Sequence, residues 1–231
     1  MPLLAAGDLS MYYEVHGEGE PLVLVLGLAL DVSECEALIA GLAASFRVIA
    51  FDNRGAGRTD QPPGPYSIPM MAADTLALMD ALELPRARVV GVSMGSRVAI
   101  ELAWAHPQRV RDLVLVSTGY RARGRLTLSW PSRLASLVKW LPLFVSDFPQ
   151  SRHAYAAQLA ATMSYDCGDK LSALLCPTLI AQGRRDRSAP FADAVEMSRR
   201  IPRATLAPFR GGHLFFLFRE RQRLVGLVAN F

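Results

Sequence analysis

Ser93 is the side chain whose sequence surroundings point most directly to chemistry. It lies at the centre of Gly91-Val92-Ser93-Met94-Gly95, between an apolar, β-rich run at 87–92 and a run of small and apolar residues at 97–105. A strand, a sharp turn and a helix in this order predict a nucleophile elbow, whose strained turn displays the serine hydroxyl. The hydroxyl would lie at a helix N-terminus, where free N–H groups favour developing negative charge. Glycines on both sides would avoid crowding the neighbouring strand and helix.

A base must accompany this serine, because chance alone gives roughly one such motif in ten chains of this length. A histidine is the residue that usually removes the serine proton, and the sequence has four of them. His213 follows Gly211-Gly212 after a predicted strand, and we predict it as the base. We interpret His16, His106 and His153 as structural, although substrate contact by His153 stays open.

Asp186 is the predicted acid that orients the base. It follows the apolar run 179–183, so it would lie at the end of a strand, as His213 does. The order Ser93, Asp186, His213 is that of an α/β-hydrolase, and differs from the orders of trypsin-like and subtilisin-like enzymes. Asp193 is a weaker candidate, since it falls inside the following predicted helix.

The oxyanion of an acyl-transfer reaction needs two backbone N–H donors. One donor normally belongs to the residue after the nucleophile, which is Met94 here. The second comes from a loop after an earlier strand, and the position of Gly27-Leu28 predicts Leu28. Backbone donors place no demand on residue type, so both assignments rest on position.

The elements that would hold these residues alternate between strands and helices. Antiparallel edge strands are expected near 9–15, followed by buried strands and helices. The buried strands are predicted at 22–26, 46–51, 87–92, 113–116, 178–181 and 205–209, and the helices at 33–44, 68–84, 191–201 and 214–231. This alternation predicts an α/β fold with a mostly parallel, doubly wound sheet covered by helices on both faces.

The alternation breaks after the sixth strand. Residues 120–174 are predicted to form a short helical lid inserted into a core made of 1–119 and 175–231. The lid segment is apolar and aromatic in its first half, and four of its residues are candidates to line an apolar substrate pocket: Trp130, Trp140, Leu141 and Phe144. Packing of these side chains onto the core is an equally good interpretation.

Composition limits the other classes of function. The 231 residues suit one domain, with 51% hydrophobic and 20% charged residues and a net charge of +4. The sequence has no block of like charges, so it does not indicate nucleic-acid binding. We interpret the arginines beside Asp186, which are Arg184, Arg185 and Arg187, as solvated surface charges or as contacts for an acidic substrate. Three cysteines without paired spacing fit a reducing compartment and argue against disulfides or zinc. We expect a cytoplasmic protein without a signal peptide, a membrane span, a metal or an organic cofactor.

Four stretches together resemble the α/β-hydrolase fold superfamily over nearly the whole chain. They are Phe51-Asp52-Asn53-Arg54-Gly55-Ala56-Gly57, the segment 89–95, the segment 183–190 and Gly211-Gly212-His213. Within the superfamily the chain is similar to small cofactor-free esterases, 3-oxoadipate enol-lactonases and perhydrolases of the haloperoxidase type. It departs from them at Leu26-Gly27, where the family often has His-Gly, and in its short lid.

The predicted function is that of a serine hydrolase acting on a small-molecule ester or lactone through an acyl-enzyme on Ser93. Perhydrolase, thioesterase and C–C hydrolase activities use the same three residues and stay open as alternatives. A hydrolase-like ligand receptor with slow turnover is the alternative from another class.

Overall fold

A single sheet lies at the centre of the molecule. In the computed structural model, which describes residues 3–122, 147–218 and 220–231, this sheet has eight strands in the order β1-β2-β4-β3-β5-β6-β7-β8. The pairs β1–β2 and β2–β4 are antiparallel and the others are parallel, as predicted. The strands are β1 Leu3–Ala6, β2 Leu9–His16, β3 Pro21–Val25, β4 Arg47–Phe51, β5 Ala87–Val92, β6 Val110–Val116, β7 Thr178–Gly183 and β8 Ala204–Phe209.

Helices cover both faces of the sheet because the central strands are apolar on both sides. In β3, Leu22 and Leu24 join the core beneath one set of helices, and Val23 and Val25 join the core beneath the other. The helices are α1 Glu36–Ala43, α2 Ile68–Ala81, α3 Met94–Ala105, α4 Arg152–Ser164, α5 Phe191–Arg200 and α6 Arg221–Ala229. Residues of α1 and α6 pack on the first face, and residues of α2, α3 and α5 on the second. The predicted doubly wound α/β architecture is confirmed.

Two helices begin later than predicted. The helix expected at 33–44 begins as a 3₁₀ turn, Val32–Cys35, whose cap is Asp31. Asp31 accepts from the Ser33 N–H, and the Glu34 side chain returns to the Asp31 N–H, which is a capping box.

The helix expected at 214–231 is interrupted. A short 3₁₀ turn, Phe215–Leu217, comes first, and α6 begins only at Arg221. The Phe215 ring stacks on Phe209 of β8 at 4.2 Å between centroids, and the Glu220 carboxylate accepts from the Arg210 and Gly211 N–H groups. These contacts hold Phe215 and Glu220 against the end of β8, so a continuous helix does not form.

The register of the parallel strands brings their carboxyl ends to one edge of the sheet. Val25 pairs with Gly91, Val92 pairs with Val116, and Val116 pairs with Ala181. The next residues along β5 and β6 are Ser93 and Ser117, and the loops after β7 and β8 carry Asp186 and His213. Ligand sites of open α/β sheets form at this edge.

The helix α4 belongs to the segment between β6 and β7. It is attached to the loops after β4 through the Gln150 amide, which donates to the Gly55 carbonyl at 2.6 Å, and through His153 Nε2, 3.1 Å from the Gln61 carbonyl oxygen. In the described part of the chain, none of the helices has both the length and the hydropathy that crossing a bilayer requires.

Candidate active site

Ser93 occupies a strained turn between β5 and α3. Its backbone has φ +53° and ψ −112°, a conformation that residues with a side chain rarely adopt and that costs on the order of 1–3 kcal/mol. The Ser93 N–H donates to the Val116 carbonyl at 2.8 Å, and the Ser93 carbonyl accepts from the Ser96 N–H at 3.1 Å. Hydrogen bonds on both sides therefore hold the turn, and the side chain stays partly exposed.

Glycines beside Ser93 permit close packing of backbone against backbone. A Cβ on Gly91 would lie 2.5 Å from the Gly95 carbonyl oxygen and 2.5 Å from the Ser96 Cα. A Cβ on Gly95 would collide with the Val25 carbonyl oxygen and lie 2.6 Å from that of Leu26. The elbow thus lies directly against the end of β3, where the chain turns into Gly27.

Gly95→Ala is expected to lower the free energy of unfolding by about 3 kcal/mol, because backbone atoms of β3 must move to admit the methyl group. Urea denaturation measures the loss. Gly226→Ala in α6 is the matched control: nothing lies within 4 Å of its added Cβ, and alanine should gain about 1 kcal/mol in a helix. Equal stability of the two variants would mean that the close approach at Gly95 is not a constraint.

The structure brings the three predicted residues Ser93, His213 and Asp186 together. Ser93 Oγ lies 2.9 Å from His213 Nε2, and His213 Nδ1 lies 2.8 Å from Asp186 Oδ2. Since a carboxylate only accepts, Nδ1 carries the proton, and Nε2 is left to accept from the serine hydroxyl. The His213 ring is about a quarter exposed, so the base lies at the boundary between solvent and protein.

The Asp186 carboxylate is completely buried and accepts four hydrogen bonds. Oδ1 accepts from the Ser188 and Ala189 N–H groups, both at 2.8 Å. Oδ2 accepts from His213 and, at 2.9 Å, from the Gln182 side-chain amide. A buried carboxylate is stable only with such partners, and here they also fix which oxygen faces the histidine.

Gln182 is a supporting residue that our sequence interpretation missed. Its amide N–H₂ donates to Asp186 and to the Ala189 carbonyl, and its oxygen accepts from the Thr118 N–H at 3.0 Å. The signal was available, since Gln182 is a large polar residue in a completely buried strand, Thr178–Gly183. A buried amide needs partners, and this one joins the loops after β6 and β7.

The loop after β6 supports the two other members of the site. The Ser117 hydroxyl donates to the His213 carbonyl at 2.6 Å, and the Thr118 hydroxyl donates to the Ser93 carbonyl at 3.3 Å. Ser117 also has a positive φ of +53°, which turns the chain sharply at the end of the strand. Our sequence analysis did not include Ser117 or Thr118 among the candidate residues.

The predicted oxyanion donors lie on either side of Ser93. Met94 is the first residue of α3, so the helix itself offers no carbonyl to its N–H. A Cβ on Gly27 would lie 3.4 Å from the Ser93 Cβ, which places the loop carrying Leu28 directly beside the nucleophile. Their role as donors to an oxyanion stays a prediction.

Two buried side chains, Asn53 and Asp52, hold the segment that follows β3. The Asn53 side chain donates to the Leu26 carbonyl at 2.9 Å. Asp52 accepts from the Val32 N–H at 2.7 Å and the Arg58 N–H at 2.8 Å. Burial raises the pKa of Asp52, and these two hydrogen bonds oppose that rise without cancelling it.

Arg97 connects the elbow helix to α4. Its guanidinium donates to the Gly119 carbonyl at 3.2 Å and to the Thr162 carbonyl. Burial lowers the pKa of Arg97, and the nearby Asp193 and Asp166 oppose this shift without cancelling it.

The remaining candidates lie elsewhere. His16 Nε2 pairs with Glu14 at 2.7 Å, His106 is the C-cap of α3, and the exposed His153 contacts Gln61. Asp193 is buried in α5 with its carboxylate against Gly119, whereas the carboxylate that reaches His213 is that of Asp186. Arg184, Arg185 and Arg187 are exposed. The four predicted pocket residues, Trp130, Trp140, Leu141 and Phe144, lie outside the described residues.

Comparison with known proteins gives concordant matches. A family model described as the alpha/beta hydrolase fold matches residues 20–165. A protein from Azorhizobium caulinodans with the provisional name carbamate hydrolase RutD is 31% identical, over 93% of this chain and 92% of its own length. The 3-oxoadipate enol-lactonase 2 of Acinetobacter baylyi is 26% identical, over 91% and 89%. The crystal structure of an enol-lactonase from Burkholderia xenovorans LB400 superposes with a TM-score of 0.87 at 23% identity, covering 99% of this chain and 98% of that one.

Proposed function

The chain belongs to the α/β-hydrolase fold family, and from that premise we propose that it is a serine hydrolase that cleaves a carboxylic ester or a lactone through an acyl-enzyme on Ser93. One observation carries the proposal: Ser93 Oγ, His213 and the Asp186 carboxylate form a hydrogen-bonded series with 2.9 Å and 2.8 Å between paired atoms. A nucleophile, a base and an orienting acid in this geometry activate a serine for attack on a carbonyl carbon.

In the proposed mechanism, Ser93 Oγ attacks the acyl carbonyl while His213 Nε2 takes its proton. The carbonyl oxygen becomes an oxyanion and accepts from the N–H groups of Leu28 and Met94. His213 then returns the proton to the leaving alkoxide, and the C–O bond of the ester breaks. Water then attacks the carbonyl of the acyl-enzyme while His213 takes its proton, and the carboxylic acid and free Ser93 are released. Asp186 holds the histidine tautomer and stabilises its charge throughout.

The proposed lid, residues 120–174, would cover this edge of the sheet and select the substrate. Its described part already contacts the loops after β3 and β4, through Gln158 and Gln150. Trp130, Trp140, Leu141 and Phe144 are proposed to line an apolar pocket for the acyl or alcohol group.

A carbamate is the second candidate substrate, because the relative with 31% identity carries the name carbamate hydrolase. Ser93 would attack the carbamoyl carbonyl, with His213 and Asp186 in the same roles. The carbamoyl-enzyme would hydrolyse more slowly than an acyl-enzyme, since the nitrogen lone pair lowers the electrophilicity of its carbonyl. The two candidates therefore differ in the rate of the second step.

The test combines a covalent probe with a substrate panel. A fluorophosphonate should label the wild type, and peptide mass spectrometry should locate the adduct on Ser93. The p-nitrophenyl esters of graded chain length, a p-nitrophenyl carbamate, a thioester and a five- and a six-membered lactone are then assayed under the same conditions. We expect ester and lactone turnover to exceed carbamate turnover.

Burst kinetics separate the candidates further. A burst followed by very slow release with every substrate would support a receptor with slow turnover, and carbamate turnover above ester turnover would support the second candidate. An enzyme that neither accepts the probe nor turns over any member of the panel would contradict the proposed function.

A further inference from the structure

The loop after β3 is a tight turn that its own sequence does not favour. The Leu30 N–H donates to the Gly27 carbonyl at 3.2 Å, and Ala29, the third residue of the turn, has φ +59°. Positive φ at this place is the mark of a type II turn, which usually has glycine there. An alanine with this φ costs on the order of 1–2 kcal/mol, so a contact from outside the turn must help to hold it.

Gln158 of α4 supplies that contact. Its side-chain oxygen accepts from the Ala29 N–H at 3.1 Å, and its nitrogen donates to the Arg54 carbonyl at 2.7 Å. The residue is completely buried, and a donor on one side with an acceptor on the other fixes the orientation of its amide. Gln158 therefore joins the turn after β3 to the loop after β4.

The Ala29 N–H belongs to the central peptide of the turn, between Leu28 and Ala29. Turns of types I and II differ by the half-rotation of this peptide. An acceptor placed on the Ala29 N–H selects one of the two orientations, and because this acceptor lies on α4 it also ties the turn to a fixed place beside Ser93. The Leu28 N–H belongs to the preceding peptide, between Gly27 and Leu28, so Gln158 acts on it through the position of the whole turn. A misplacement of about 1 Å can cost on the order of 10²-fold in rate, so the position of the turn matters for catalysis.

We propose that Gln158 is a positioning residue, which holds the turn after β3, and with it the Leu28 N–H, in place beside Ser93 through its hydrogen bond with the Ala29 N–H. This inference rests on the proposed function, since it assumes an oxyanion at Ser93. It assigns to a helix of the segment between β6 and β7 a direct influence on the reaction rate. Attachment of α4 does not depend on Gln158 alone, because Arg97, Gln150 and His153 also join this segment to the core.

Gln158→Met tests the proposal, because methionine keeps the length and volume of the side chain and removes both hydrogen bonds. We expect kcat/KM for the best ester to fall on the order of 10²-fold, mainly through kcat. The inhibition constant of a boronic acid, which forms a tetrahedral adduct on serine, should rise by a similar factor, whereas binding of the product acid should not change. Thermal unfolding is recorded for each variant, so that rates refer to folded enzyme.

Rescue distinguishes positioning from simple attachment. Adding Ala29→Gly to Gln158→Met removes the strain of the positive φ, and should recover on the order of ten-fold in kcat. Gln150→Met is the matched control: Gln150 also donates to a carbonyl of the loop after β4, but among the described residues it makes no hydrogen bond to the turn after β3. Its kcat/KM should therefore stay within about two-fold of wild type. If Gln158→Met does not fold, Gln158→Asn, which is one methylene shorter, takes its place with the same expected loss.

The proposal is overturned if the Gln158 variant keeps kcat within about two-fold of wild type, or if its loss matches that of Gln150→Met and Ala29→Gly recovers nothing. Failure of the proposed function would give a different result. In that case Ser93→Ala would hydrolyse the ester as fast as wild type, whatever the effect of the Gln158 variant.

Discussion

Ser93→Ala is expected to reduce kcat/KM for the best ester by about 10⁶-fold and to abolish fluorophosphonate labelling. Without Oγ no acyl-enzyme forms, and only the weaker assistance of the oxyanion donors to direct attack by water remains. Within the described residues, the side-chain hydrogen bond of Ser93 goes to His213, and the other bonds of Ser93 use its backbone N–H and carbonyl, which alanine keeps. The variant should therefore fold as the wild type does.

Steady-state assays, together with a circular dichroism melting curve, test this expectation. Ser198→Ala is the matched control, because the Ser198 hydroxyl donates within α5 to the Val195 carbonyl and lies outside the site. It should retain full activity and full labelling. A Ser93→Ala enzyme that keeps more than about a tenth of the wild-type rate would show that another group is the nucleophile.

The three residues of the candidate site could be predicted because each follows a strand that the sequence pattern indicates. β5, β7 and β8 are short apolar runs bounded by glycine or proline, so Ser93, Asp186 and His213 could be placed at strand ends before the pairing of the strands was known. Parallel strands then bring all such ends to one edge. The prediction needed local patterns, the chain order of the three residues and one rule of topology.

Other features depended on contacts between distant parts of the chain. Gln158 lies 129 residues from Ala29, and nothing in the sequence near either residue indicates that they meet. The helix expected at 214–231 has suitable residues throughout, yet stacking of Phe215 on Phe209 and the bonds of Glu220 interrupt it. Intrinsic helix propensity is weak, and tertiary packing overrides it in such places.

Asp186→Asn is the substitution that tests how the base is oriented, and it is expected to lower kcat by about 10⁴-fold while the fold persists. The Ser188 and Ala189 N–H groups both donate to Oδ1, so asparagine must keep its oxygen at that position. Its N–H₂ group then takes the place of Oδ2 and faces two donors, Gln182 and His213 Nδ1. His213 can accept this N–H only as the other tautomer, with its proton on Nε2, and in that form it cannot take the proton of Ser93.

The competing assignment gives the control for this experiment. Asp193→Asn changes the same chemical group in α5 and leaves the four hydrogen bonds of the Asp186 carboxylate in place. The kcat of Asp193→Asn, corrected for the fraction of folded protein, should stay within about ten-fold of wild type, since the orientation of His213 does not change. Because the two variants remove the same charge, the difference between them isolates the hydrogen bond to His213 Nδ1. Collapse of activity in Asp193→Asn with activity kept in Asp186→Asn would assign the acid to Asp193 instead.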